Sequence, residues 1–158
     1  MMGGEGIMQP PKLEKFIELS VQLAPIVEMG QGRAGKRRII PIIGGQFKGK
    51  INGRVLSIGA DWQTVFADAL AELDTRYALE TEDGAFIEVI NYGLRHGPPD
   101  IMEALARGEG VPPDAYYMRT HARLETGDPR YLEVNRTLFV GTGQREASSV
   151  KIALFSLV

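Results

Sequence analysis

The sequence predicts an all-β protein: about eight antiparallel strands with one short helix, arranged as a barrel or a sandwich. Three observations lead there. Charges recur two apart in segments that otherwise look like strands. Arg119, His121, Arg123 and Glu125 alternate with Met118, Thr120, Ala122 and Leu124, and Glu72, Asp74, Arg76, Glu80 and Glu82 alternate with Leu73, Thr75, Tyr77, Leu79 and Thr81. Side chains change face at every strand residue, so each segment has one charged and one mostly apolar face. Turn residues punctuate the chain at short spacing, and only one segment has a convincing helix boundary.

The elements follow in order. Ile17, Leu19, Val21 and Leu23 alternate with Glu18, Ser20 and Gln22, which reads as a strand ending near Pro25. Leu13, Phe16, Ile17 and Ser20 also fit helical spacing, so a helix competes there. Gly30, Gly32 and Gly35 mark a loop. A second strand runs over 38–43, with Pro41 signalling an edge or a bulge. A third runs over 54–57 and continues over 59–63 past a bulge at Gly59.

Strands over 70–81 and 85–92 form the clearest hairpin, turning at Asp83-Gly84. On the second of these, Ile87, Val89 and Asn91 face away from Phe86, Glu88 and Ile90. Gly97-Pro98-Pro99 opens a helix over 100–107 that Gly108 can end. Strands over 116–126, 133–140 and 150–158 complete the set, the last two separated by a loop over 141–149. Residues 1–11, rich in Gly, Met and Pro, read as a flexible leader, and 12–158 as a single barrel domain.

Composition narrows the function classes. A chain of 158 residues can bury a real core in one domain. Net charge is -2, which signals no nucleic-acid partner, and the short basic run from Arg33 to Arg38 reads mainly as a solvated strand end. No cysteine is present, so disulfides and thiolate chemistry are excluded, in keeping with a cytoplasmic protein. No stretch approaches the roughly 20 apolar residues of a spanning helix, so no membrane partner is expected. Two histidines, His96 and His121, offer no ligand set, so neither a metal nor another cofactor is expected.

Several constellations carry chemistry. Asp61 beside Trp62, just after Gly59, forms an acid and a wall: a desolvated Asp has a raised pKa and can act as general acid or base. Equally, Trp62 can be core and Asp61 a turn residue. Arg119 to Glu125 form either an anion-binding strip facing a barrel lumen or an outer face in water. Arg119 and Glu125 need cross-strand partners, with Glu80 and Arg76 as candidates. Gly141-Thr142-Gly143 follows a strand but lacks the rest of a dinucleotide motif and reads as a loop. Of Tyr116-Tyr117, one belongs to the core and the other to a rim. Asn135, placed with Glu133, Thr137 and Phe139, is exposed or makes a deliberate polar contact.

Taken together, these stretches resemble the bacterial and fungal family of unknown function known as DUF3237 or UPF0311. The similarity runs from about Phe16 to the carboxyl end. It is carried by residues 35–42 with Gly44-Gly45, 59–63, 74–81, Asp83-Gly84, 93–99, 116–120, 124–127 and 135–141. The chain departs from the usual pattern at Met118, where Phe is usual, and at Ala122, where Pro is frequent. The resemblance implies a closed antiparallel barrel of about eight strands and brings no reaction with it.

The expected function is binding of a small polar or aromatic molecule in the barrel's interior or mouth. Asp61 and Glu125 are the catalytic candidates for cofactor-free proton transfer of isomerase, hydratase or lyase type. Trp62 and Tyr77 would stack on the ligand, Arg119 would orient an anionic group, and Arg76, Thr120 and Asn135 complete the binding set. These residues differ in strand parity, so not all can face one lumen. A binding protein without catalysis, or a homo-oligomeric interaction module, are the alternatives. The second rests on a last strand apolar on both faces, with Ala153, Phe155 and Leu157 against Ile152, Leu154 and Val158.

Overall fold

The computed structural model describes residues 6–158. Its strands are β1 (Leu13–Leu23), β2 (Val27–Gln31), β3 (Lys36–Gly49), β4 (Gly53–Val65), β5 (Ala71–Thr81), β6 (Phe86–His96), β7 (Tyr117–Glu125), β8 (Phe139–Arg145) and β9 (Ser149–Leu157). Helix α1 (Pro99–Ala106) links β6 to β7. Short 3-10 turns at Pro113–Ala115 and Leu132–Arg136 flank β7.

The strands pair antiparallel in the order β1-β9-β8-β7-β6-β5-β4-β3, and β3 returns to β1. β2 lies on β3 just past the end of β1, and between them the Ala24 N–H donates to the Pro41 carbonyl at 3.0 Å. β1 and β2 are thus one stave broken at Pro25, which has no N–H to give. Eight staves close the sheet, and closure removes the unpaired edges that an open sheet would expose. The alternation over residues 17–23 therefore won over the competing helical spacing. At the start of the chain, Gly6 to Pro11 form neither strand nor helix, and residues 1–5 of the expected leader lie outside the described residues.

Two glycines make the curvature. Gly45 has φ +133°, and a Cβ there would meet the Ser20 carbonyl oxygen at 2.0 Å. It sits where the β3–β4 register shifts between Pro41 and Gln46. Gly59 has φ +105°, and a Cβ there would meet the Arg76 carbonyl oxygen at 2.1 Å. It ends the register shift that starts at Val55, which is the bulge expected from the sequence.

The expected hairpin forms β5 and β6 with Gly84 at φ +92°. The helix begins one residue earlier than expected, and Gly108 at φ +77° follows its end. Two expectations fail. The 133–140 segment is not a strand: Leu132–Arg136 is a 3-10 turn, and Asn135 does not share a sheet face with Phe139. The 141–149 segment is not a loop throughout, because β8 runs from Phe139 to Arg145. Gly141 and Gly143 are small because their neighbours on β7 are not. A Cβ at Gly141 would meet the Thr120 Oγ1 at 2.4 Å, and one at Gly143 would meet the Met118 side chain at 2.8 Å.

The interior has two unlike ends. At one, Ile17, Phe47, Val55, Leu79, Ile87, Leu124, Phe139 and Leu154 pack into an apolar plug. Phe16 and Phe139 meet there with ring centroids 4.9 Å apart. The segment after β7 closes this end: Thr126 donates to the Phe86 carbonyl at 2.6 Å, and Tyr131 donates to Asp83 Oδ2 at 2.6 Å. At the other end the inward residues turn polar, and α1 lies across the mouth with Ile101, Met102 and Leu105 packed on the core.

Candidate functional site

The site begins at the Gly59 bulge. By resetting β4 against β5, the bulge aims Asp61 inward, opposite Thr75. Asp61 Oδ1 accepts from Thr75 Oγ1 at 2.9 Å and from the Asp74 N–H at 3.1 Å. Its Oδ2 accepts from Gln63 Nε2 at 2.6 Å. Gln63 is 1% exposed and in turn accepts from Arg38 Nε at 2.9 Å. Burial pushes the Asp61 carboxyl above the usual range, while the Gln63 and Thr75 hydrogen bonds and the charge of Arg95 pull partly against it.

Asp61 faces a cavity of about 40 Å³, room for a few waters. Tyr77, Asn91 and Thr120 line the same cavity. The Tyr77 hydroxyl, the Asn91 Oδ1 and the Thr120 Oγ1 are buried and have no hydrogen-bond partner among the described residues. Burial pushes the Tyr77 phenol far up, so it is a donor and not an anion. Buried polar atoms normally find partners, so three orphans around one small space are unusual.

Arg95 and Arg145 also line this cavity. Both connect it to a larger groove of about 750 Å³ between α1 and the barrel rim, which Arg38 borders as well. Burial, then the charges of Arg38 and Arg145, pull Arg95 down to about 10, with Asp61 acting in the opposite direction. Arg145 is lowered for the same first two reasons. Its backbone N–H donates to the Tyr116 hydroxyl at 2.8 Å. Tyr116 is the buried one of the tyrosine pair, and Tyr117 lies on the rim.

Of the residues singled out from sequence, Asp61, Tyr77 and Thr120 meet in this cavity. The others lie outside it, as the difference in strand parity requires for part of the set. Trp62 points outward and is 43% exposed, because its neighbour Asp61 points in. Arg76 is one residue from inward Tyr77 and lies outside for the same reason. Arg119 and Glu125 are outward on β7, whose inner face is Met118, Thr120, Ala122 and Leu124. Arg76, Glu125 and Asn135 instead border a shallow open groove on the outer wall. Asn135 acts there as a clamp, accepting from the Thr126 N–H and donating to the Thr126 carbonyl, both at 2.8 Å.

Nor do Glu80 and Arg76 partner β7, because β6 lies between β5 and β7; Glu80 pairs with Arg54 on β4. Sequence reasoning missed Gln63, Thr75, Asn91, Arg95 and Arg145 as cavity residues, and Arg38 as a residue of the adjoining groove. One signal was available: continuing the inward series Ile87, Val89, Asn91 by two further steps arrives at Arg95. Among the described residues, no three His, Asp or Glu side chains converge as a metal-binding group, and no helix is long and apolar enough to cross a membrane.

An eight-stave barrel with one sealed end and one polar, partly hollow end is the class that this fold and site define. Comparison with known proteins agrees on the architecture. The model of the family described as "Protein of unknown function (DUF3237)" matches residues 11–157, and the chain belongs to that family. A UPF0311 protein of Rhodopseudomonas palustris is 42% identical over 147 residues, covering 92% of this chain and 96% of that protein. The crystal structure of a conserved protein of unknown function from Rhodopseudomonas palustris superposes with a TM-score of 0.90 at 38% identity, covering 96% of this chain and 100% of the other. A protein described as an enzyme from Penicillium herquei shares the fold, with a TM-score of 0.73 at 19% identity, covering 97% and 98% of the two chains.

Proposed function

We propose that this chain binds a small polar or aromatic molecule at the polar end of its barrel. Asp61 then moves a proton to or from it, in a reaction of isomerase, hydratase or lyase type. One observation carries the reading: a carboxyl raised by burial faces a cavity whose other polar atoms lack partners. A carboxyl held closer to neutrality exchanges protons more readily near pH 7 than an exposed one. Tyr77 and Thr120 supply hydroxyl donors and Asn91 an acceptor, so a ligand would satisfy what the protein leaves open.

The non-catalytic alternative calls for Asp61 locked in an ion pair with arginine. Among the described residues, Asp61 has no such pair within 4.0 Å and is bonded by neutral donors instead. That favours the catalytic reading. The test is solvent-deuterium incorporation next to the carbonyl of a panel of small aryl ketones and enones, followed by proton NMR. The parent should catalyse exchange on at least one of them, and Asp61→Asn should slow it about 100-fold or more. Equal rates in parent and variant would remove Asp61 from the chemistry.

A further inference from the structure

We propose that the polar end of the barrel is built for an organic carboxylate. Its anionic head sits against Arg95, between Arg38 and Arg145, and its apolar body lies along α1. The proposal deepens the reading above and rests on the same cavity.

Arg95 is the key observation. It is 8% exposed, yet among the described residues it has no carboxylate within 4.0 Å and its guanidinium makes no hydrogen bond to protein. A guanidinium carries five donors, and those of Arg95 open onto the cavity and the groove instead of onto protein acceptors. Arg38 and Arg145 both disfavour its charge, and Asp61 alone among nearby carboxylates offsets them. Three cations therefore face one acid that is itself reluctant to ionise. Arg38 is engaged through Gln63, and Arg145 donates to the Glu146 and Ser149 carbonyls at 2.6 and 2.9 Å. Arg95 alone of the three is uncommitted.

The space around Arg95 shows what kind of anion fits. Arg95 lines both the 40 Å³ cavity and the 750 Å³ groove, so an anion held there has its remaining bulk directed outward. That groove is walled by Leu23, Ile26, Val65, Met102 and Leu105. An inorganic phosphate has no use for those walls, whereas an aryl or alkyl carboxylate buries its body on them. A carboxylate also matches the guanidinium fork with two parallel hydrogen bonds. Glu103 and Glu146 stand in the groove lining, and Glu146 is occupied by Ser149 at 2.8 Å.

Calorimetric titration of the parent, Arg95→Met, Arg95→Lys and Asp61→Asn tests this, with benzoate, octanoate, benzamide and inorganic phosphate as probes. At least one of the two carboxylates should bind the parent ten times or more tighter than benzamide and phosphate. Arg95→Met should lose that binding tenfold or more, and Arg95→Lys should restore part of it. Arg95→Met should also melt at or above the parent temperature, since it removes an unpaired buried charge; a purely structural arginine would show the opposite.

Failure of both carboxylates to bind, phosphate binding as tightly as they do, or unchanged binding in Arg95→Met would overturn the assignment. Asp61→Asn removes the one carboxylate that competes for Arg95 and should bind the carboxylate probes more tightly than the parent. Undiminished exchange in Asp61→Asn, with carboxylate binding lost in Arg95→Met, sinks the proton-transfer reading alone; undiminished carboxylate binding in Arg95→Met, with exchange lost in Asp61→Asn, sinks this one alone.

Discussion

The two ends of this barrel use the same local pattern for opposite purposes. At the sealed end, most inward residues are aliphatic or aromatic, with Thr81 and Ser156 among them, and loops clamp the closure through Thr126, Asn135 and Tyr131. At the open end, the same inward positions hold Asp61, Gln63, Thr75, Asn91, Arg95 and Thr120. The first arrangement gains from burial and, among the described residues, leaves no buried side-chain polar atom without a partner. The second buries charge and orphaned polar atoms, which costs stability unless a ligand completes it. Apolar burial therefore contributes more at the sealed end than at the open one.

The largest effect should come from damaging the plug. Leu154 is 0% exposed, and Leu154→Ala should cost about 2–5 kcal/mol, read from urea denaturation midpoints. A loss below about 1 kcal/mol would show that the sealed end is not where stability resides.

A smaller effect should appear in the pH dependence of stability. Burial raises the Asp61 pKa in the folded protein above the unfolded value of about 3.9. Between those two values the folded chain holds a proton that the unfolded chain has lost. This group's contribution to stability therefore falls as pH rises through that window, and it changes no further below about pH 3.9. Asp61→Asn should flatten that part of the profile when denaturation is repeated in steps from pH 4 to 7. Parallel profiles for parent and variant would mean that Asp61 titrates alike in both states.

The smallest effect sharpens the contrast. Tyr77→Phe deletes a buried hydroxyl that has no partner, so it should shift stability by less than about 1 kcal/mol, or raise it. At the same time it should weaken any ligand that the hydroxyl serves. A loss comparable to that of Leu154→Ala would show that the two ends do not differ in the way described.

Much of the fold was legible because its signals are local. The β5–β6 hairpin follows from alternation on both sides of Asp83-Gly84, and the bulge follows from a glycine inside a strand pattern at Gly59. Helix α1 announced itself through Pro98-Pro99 and Gly108. β8 was misread because Gly141 and Gly143 look like loop residues; they are strand residues whose missing side chains make room for Thr120 and Met118 on the neighbouring stave. That relation spans about twenty residues and has no local trace. Of the candidate residues, Asp61, Tyr77 and Thr120 line the inner cavity, while Trp62, Arg76, Arg119, Glu125 and Asn135 lie outside it, because a neighbouring residue or the 3-10 turn takes the inward place.

The residues by themselves determined the strand periodicity, the turns and the two-faced character of each stave, since φ/ψ preference and side-chain alternation act between near neighbours. Only the closed barrel decided which face is inside. A charged face and an apolar face alternate identically whether the strand curls one way or the other. On β7 closure turned the arginines out to water, and on β6 it carried Arg95 in beside Asp61. Pairing with neighbouring staves and the bulge at Gly59 set that choice, and both depend on contacts between residues far apart in the chain.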